Sequence, residues 1–179
     1  MKFAKPNIDL LIVGGSPGSG KSALCQGLRS RWNIVPFIEF SRLREFHLDC
    51  AWSKQNPKEE SLSFDHLAHI VRSYVRNGYR PVMVTDLKDE RIVKIDEVFS
   101  ELTYFILTLI ASDEVIAQRV RDRDSGFTNV HAAVDWNRKV KNRPPVRHEL
   151  RLDNSMLDID QTVDAALGVL QAELDKCAE

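Results

Sequence analysis

The sequence predicts an α/β fold in which a single parallel sheet is covered by helices on both faces. Three observations carry this. Short apolar runs alternate with amphipathic helical patterns along the chain, the connections between them are short, and 179 residues is the length of one domain able to bury a layered core. Crossovers between parallel strands are right-handed, and such sheets gather functional residues beyond the carboxyl ends of their strands. No internal repeat, low-complexity tract or linker divides the chain, so residues 1–179 read as a single domain.

Asp9 to Val13 is the first strand, apolar from Leu10 onward. The helix Lys21 to Trp32 follows, with Leu24 and Leu28 one turn apart and Cys25 beside them. Val35 to Glu39, entered through Asn33, is a short strand, and a helix from about Ser41 to Leu48 succeeds it. Ser63 to Asn77 carries Leu67, Ile70, Val71, Tyr74 and Val75 at core-facing spacing, with Gly78 as its stop. Pro81 to Thr85 is a buried strand, and Asp89 to Ser100 a helix striped by Ile92, Ile95, Val98 and Phe99. The β-rich run Leu102 to Ile110 precedes Ser112, which caps the helix Asp113 to Arg123; the acids Asp113 and Glu114 suit its first turn. A polar stretch, Asp124 to Pro145, contains a short helix from His131 to Lys141. Arg147 to Leu152 is the last strand, and Ile159 to Leu174 the last helix, with Val163, Ala166, Leu167, Val169 and Leu170 on its apolar face.

Between the first strand and its helix stands Gly15-Ser16-Pro17-Gly18-Ser19-Gly20-Lys21-Ser22, followed by Ala23. This fits GxxxxGK[ST] at every fixed position and in the strand-to-helix context that the motif's mechanism demands. A glycine-rich chain can wrap closely round phosphate oxygens with successive N–H groups pointing inward, and the following helix adds its N-terminal dipole. Lys21 then reaches the β- and γ-phosphates, and the Ser22 hydroxyl is a ligand for Mg²⁺. Nucleotide binding is the first functional expectation.

The remaining composition mostly excludes. Basic and acidic residues, 25 and 26, nearly cancel to a net charge of -1, so there is no global electrostatic case for nucleic acid or an anionic membrane. No apolar run approaches a membrane span, and Met1 to Pro6 lacks the apolar segment of a secretion signal; a cytoplasmic protein is expected. Cys25, Cys50 and Cys177 are scattered, with no CxxC, and read as reduced thiols, Cys25 as a small buried hydrophobe.

Taken together, the loop Gly15 to Ser22, the strand-end acid of Val82-Met83-Val84-Thr85-Asp86, the arginine-rich Gln118-Arg119-Val120-Arg121-Asp122-Arg123 and the turn Asp153-Asn154-Ser155 resemble the nucleoside-monophosphate-kinase-like group of P-loop kinases. Known members phosphorylate nucleotides, shikimate, gluconate, adenylylsulfate and some antibiotics. The resemblance spans essentially the whole chain, and the loop is its highly specific part. It implies a three-layer P-loop NTPase fold with a five-stranded parallel sheet in the order 2-3-1-4-5, ATP with Mg²⁺ as phosphoryl donor, and a lid over about residues 124–145.

The resemblance also implies roles. Asp86 would orient Mg²⁺ or its water shell; a strand-end Asp can equally cap the following helix. Arg119 would pack near the adenine or touch phosphate, and Arg123 would neutralise charge on the transferring phosphoryl group, the pair sharing one helical face; alternatively they form a solvated face paired with Asp122 or Asp124. Asn154 would lie in the loop round the adenine edge, where a plain turn cluster makes the same chemical sense. The lid segment, with Gly126, Phe127, Trp136, Arg138, Lys139, Lys141 and Arg143, would close over ATP, exclude water and bring in positive charge, or serve as a solvated spacer.

The acceptor would bind after the second strand. Glu39 and Ser41 alternate there with Phe40, and relatives place an Asp hereabouts to take the acceptor's proton; here Glu39 is the nearest acid. Arg42 and Arg44 can grip an anion or pair with Glu45 and Asp49, and Arg91 is an acceptor contact by analogy. His47 and His66 cap or line helices, while the segment Asp49 to Ser61, with Trp52, matches no substrate signature. The reading is an ATP-dependent phosphotransferase moving the γ-phosphoryl group to a small-molecule acceptor such as a nucleotide or sugar acid. Its rivals are a regulatory P-loop ATPase or nucleotide sensor, and a nucleic-acid end kinase hinted at by the basic segment Arg138 to Arg147.

Overall fold

The computed structural model describes residues 5–44 and 57–177. Five parallel strands, β1 (Leu10–Gly15), β2 (Phe37–Glu39), β3 (Val82–Thr85), β4 (Tyr104–Ile110) and β5 (Glu149–Asp153), form one sheet in the order β2-β3-β1-β4-β5. The central strands are continuous apolar runs because both of their faces are covered. Alternation splits them between two cores. Leu10, Ile12, Val82, Val84 and Ile106 face α2 (Phe40–Leu43), α3 (Pro57–Arg76), α4 (Asp89–Ile92) and α5 (Ile95–Val98), meeting Leu43, Phe64, Leu67, Ile92 and Ile95. Leu11, Val13, Met83, Leu107 and Leu109 face α1 (Lys21–Arg31) and α8 (Ile159–Cys177), meeting Leu24, Leu28, Val163 and Leu167. Cys25 is buried in this second core, where burial pushes its thiol up to about 12, as expected of an inert thiol. No helix among the described residues is long and apolar enough to cross a membrane.

Several elements depart from the sequence reading. The helix expected over Asp89 to Ser100 is broken into the single turns α4 and α5. Bonds from the Arg91 N–H to the Lys88 carbonyl and from the Lys94 N–H to the Arg91 carbonyl tighten the backbone there, while Ile92, Ile95 and Phe99 stay buried as the stripe requires. Among the described residues helix α3 already runs from Pro57, so Ser63, expected at its start, lies inside it, and its hydroxyl bonds back to the Glu59 carbonyl instead of capping. The helix α6 (Asp113–Arg121), capped by Ser112 as expected, stops before Arg123. With Arg121 its last residue and Asp122 its C-cap, Arg119 and Arg123 do not share a helical face. The helix begun near Ser41 starts at Phe40; its expected continuation over 45–48, with His47, Cys50 and Trp52, lies outside the described residues.

The polar stretch holds the short helix expected in it. Helix α7 (Val130–Asn142) packs Ala133 against Ala111, Ile116 and Val120 in a third apolar cluster. The buried Asn137 amide donates to the Ala111 carbonyl at 2.8 Å, and Arg138 pairs with Asp113 at 2.6 Å. The freely exposed part is the connection 121–129.

The strand β5 opens on a buried charge that period-2 reasoning would not place in a strand. The Glu149 side chain is 0% exposed and accepts two bonds from the Arg143 fork, at 2.8 and 2.6 Å, together with the Thr108 hydroxyl at 2.6 Å and the Val146 N–H at 3.0 Å. Arg143 also lies 3.2 Å from Asp89. Arg151 approaches Glu149 and donates to the carbonyls of Lys141 and Arg143, tying the end of α7 to the sheet.

Candidate active site

The turn from β1 to α1 has the backbone of an anion cradle. Gly15, Gly18 and Gly20 have φ of 131°, 86° and 96°. A Cβ on Gly15 would stand 2.5 Å from the Leu109 carbonyl oxygen, and one on Gly18 2.9 Å from Val120 Cγ2, so both glycines are required by close approach as well as by conformation. The Ser19 N–H closes the turn on the Ser16 carbonyl at 3.2 Å. No side chain caps α1, which leaves its first-turn N–H groups free to meet an anion. Pro17 is half-buried, while the Ser16 and Ser19 hydroxyls are buried with no hydrogen-bond partner among the described residues. Lys21 Nζ folds back onto the Ser16 carbonyl at 3.0 Å, and Ser22 and Ala23 are exposed on the opening turn. The donor set of the cradle, one ammonium and an exposed hydroxyl, fits a triphosphate and its Mg²⁺. Gly15→Ala is expected to destabilise the fold by about 2 kcal/mol through strain and the Leu109 contact, read as a lower thermal midpoint.

Asp86 follows β3 directly, on the strand next to β1, with the left-handed φ of 65°. This conformation is uncommon for a residue with a Cβ, and the carboxylate Oδ2 accepts the hydroxyl of Ser41, on α2, at 3.1 Å. Burial lowers the Lys21 pKa, Asp86 raises it, and the positive charge of Arg123 lowers it again. Lys21, Asp86 and Arg123 therefore lie within electrostatic reach of one another. Asp86 does not serve as the side-chain cap of α4, whose N-cap is Lys88.

Arg119 and Asn154 form the other wall. The half-buried Arg119 guanidinium donates to Asn154 Oδ1 at 3.1 Å and to the Asn154 carbonyl at 3.0 Å, while Asn154 Nδ2 donates to the Ser19 carbonyl in the loop at 2.9 Å. Desolvation lowers the Arg119 pKa. Ser155 accepts the Ser112 N–H at 2.7 Å, joining the same turn to the start of α6.

The acceptor-side residues are less united. Glu39 ends β2 and pairs with the exposed Arg42 at 2.5 Å, rather than leaving Arg42 for a ligand. Arg44 lies over the Phe40 ring at 4.8 Å and pairs with Glu60 at 2.8 Å. Arg91 stacks over Phe64, 5.0 Å from the ring centre, and His66 is exposed on α3. The sequence singled out Asn154 and gave no sign of the role of Glu149. The Asp-Asn-Ser turn signalled the first, whereas nothing local signals a carboxylate whose partners lie on three other elements.

No protein-family model and no curated protein matches the chain. Solved structures do. A gluconokinase from Sinorhizobium meliloti superposes with a TM-score of 0.71 at 18% identity, covering 99% of this chain and 98% of its own. A sugar kinase from Janibacter gives 0.68 at 18% identity over 90% and 94% of the two chains. The tunicamycin resistance protein of Deinococcus radiodurans gives 0.65 at 17% identity over 96% of each. With the strand order 2-3-1-4-5, these likenesses show the P-loop, nucleoside-monophosphate-kinase-like fold expected from the sequence.

Proposed function

We propose that the chain is an ATP-dependent phosphotransferase that moves the γ-phosphoryl group to a small-molecule acceptor. The observation that carries this reading is the convergence of the glycine cradle, Lys21 and Asp86 at the carboxyl edge of β1 and β3, with the charge of Arg123 felt at Lys21. The likeness to kinase structures over nearly the full chain supports it.

In this reading the cradle N–H groups and Lys21 bind the β- and γ-phosphates of ATP and stabilise the charge that develops as the acceptor oxygen bonds to γ-phosphorus and the β–γ bridging oxygen leaves on ADP. Ser22 and Asp86 hold Mg²⁺, which neutralises phosphate charge when bound. Glu39, at the end of β2, is the candidate to take the proton of an acceptor hydroxyl. Arg119 faces the nucleoside side. The closing element is the segment expected over 124–145 with Arg123 at its entry; its most exposed part is the connection up to residue 129, and α7 packs on α6. Arg91, stacked on Phe64, is the acceptor-side cation free of an ion pair among the described residues, whereas Arg42 and Arg44 are engaged by Glu39 and Glu60.

The test is a transfer assay with ATP and Mg²⁺ against nucleotides, sugar acids, shikimate, antibiotics and oligonucleotide ends, with Lys21→Ala as the blank; a phosphorylated acceptor is expected. Within it, Asp86→Asn should lower kcat by about two orders of magnitude and raise the Mg²⁺ concentration for half-maximal rate, while metal-free ATP still binds. An unchanged Mg²⁺ dependence removes Asp86 from the metal site.

A further inference from the structure

We propose that Asn154 is a positioning residue that locks the phosphate loop and Arg119 into one unit, an inference that rests on the donor-site reading above. Asn154 is 3% exposed and spends its side chain on two masters. Its Nδ2 donates to the Ser19 carbonyl at 2.9 Å, and its Oδ1 and main-chain oxygen together receive the Arg119 fork at 3.1 and 3.0 Å. Its own N–H bonds to the Ile110 carbonyl at 3.0 Å, so the residue is fixed to the end of β4.

The consequence for the loop follows from peptide planarity. In a trans peptide the carbonyl of one residue and the N–H of the next point in opposite directions. Drawing the Ser19 carbonyl toward Asn154 therefore turns the Gly20 N–H the other way and keeps an oxygen lone pair from facing the bound phosphates. Gly20 has φ of 96°, and a Cβ there would lie 3.5 Å from Asn154 Nδ2, so the asparagine packs directly against the peptide it orients. The same side chain holds the guanidinium of Arg119 on the nucleoside side. Asparagine is the residue this needs, since it donates to a carbonyl and accepts from a cation at once. Aspartate would keep the arginine and lose the donor, setting a carboxylate against the Ser19 carbonyl beside bound phosphate.

The experiment is equilibrium titration of ATP·Mg²⁺ into the full chain and into Asn154→Ala, Arg119→Ala, the double variant and Asn154→Asp, with thermal midpoints of the nucleotide-free proteins recorded alongside. Asn154→Ala is expected to weaken ATP about tenfold, but only about threefold when Arg119 is already alanine, because the arginine-orienting part is then gone. Asn154→Asp should also weaken ATP about tenfold, and it carries the test if the alanine variant does not fold. A purely structural role predicts the same factor in both Arg119 backgrounds, and that result, or wild-type affinity in Asn154→Asp, overturns the proposal. Wild-type protein that does not bind ATP overturns the donor-site reading and this inference with it, whereas wild-type binding unaffected by Asn154→Ala overturns this inference alone.

Discussion

Lys21→Ala should lower phosphoryl transfer by about two to three orders of magnitude and leave the thermal midpoint close to that of the unaltered chain. The ammonium is the cation built into the cradle itself, and among the described residues its hydrogen bond is to the Ser16 carbonyl, a bond whose loss costs the fold little. Its chemistry adds a second readout. Burial and Arg123 lower the Lys21 pKa against the opposing pull of Asp86, so the side chain loses its charge below the ordinary value of 10.5. The plot of kcat/KM against pH, which reports the free enzyme, should therefore fall on its alkaline side earlier than an ordinary lysine allows. Turnover of Lys21→Ala at the normal rate removes the loop from the chemistry.

Glu149→Gln should have the largest effect on stability, a loss of about 3–5 kcal/mol measured by denaturant unfolding. The isosteric amide keeps the volume but leaves the half-buried Arg143 with Asp89 as its remaining carboxylate and the half-buried Arg151 facing an uncharged group. Burial pushes the Glu149 carboxyl up, yet hydrogen bonds from Arg143, Thr108 and the Val146 N–H outweigh it and hold the group below its ordinary 4.5. A carboxyl held low in the fold contributes stability above its unfolded value, and that contribution is lost as pH falls through the lower folded value. The unaltered chain should therefore lose stability more steeply than Glu149→Gln below about pH 4.5. Equal stability of the two at neutral pH would show that the cluster does not hold α7 and β5 to the sheet.

The donor half of the site was legible because its determinants are local. Gly15 to Ser22 encode a backbone path, the strand before it and the helix after it are continuous in sequence, and Asp86 stands where an apolar strand ends. The strand order 2-3-1-4-5 was implied by the resemblance that this loop anchors, and the sheet has it. What escaped depended on contacts between distant segments. The helical spacing of Arg119 and Arg123 held only while the helix was assumed to run on, and it ends at Arg121. The break between α4 and α5 keeps the apolar stripe and so leaves no mark on periodicity. Glu149 reads as a surface charge until Thr108, Val146 and Arg143 are folded round it. The resemblance put Asn154 in the loop round the adenine edge, but not its bonds to Ser19 and Arg119, because those partners lie far apart in the chain.

The central claim is that the loop presents ATP for transfer to an organic acceptor rather than to water or to a signalling state. The direct measurement follows label from γ-labelled ATP, incubated with the protein, Mg²⁺ and the acceptor panel, into organic phosphate and into inorganic phosphate. The account expects label in an organic product, dependent on Lys21. Label released only as inorganic phosphate across the whole panel, or ATP left intact, would contradict it.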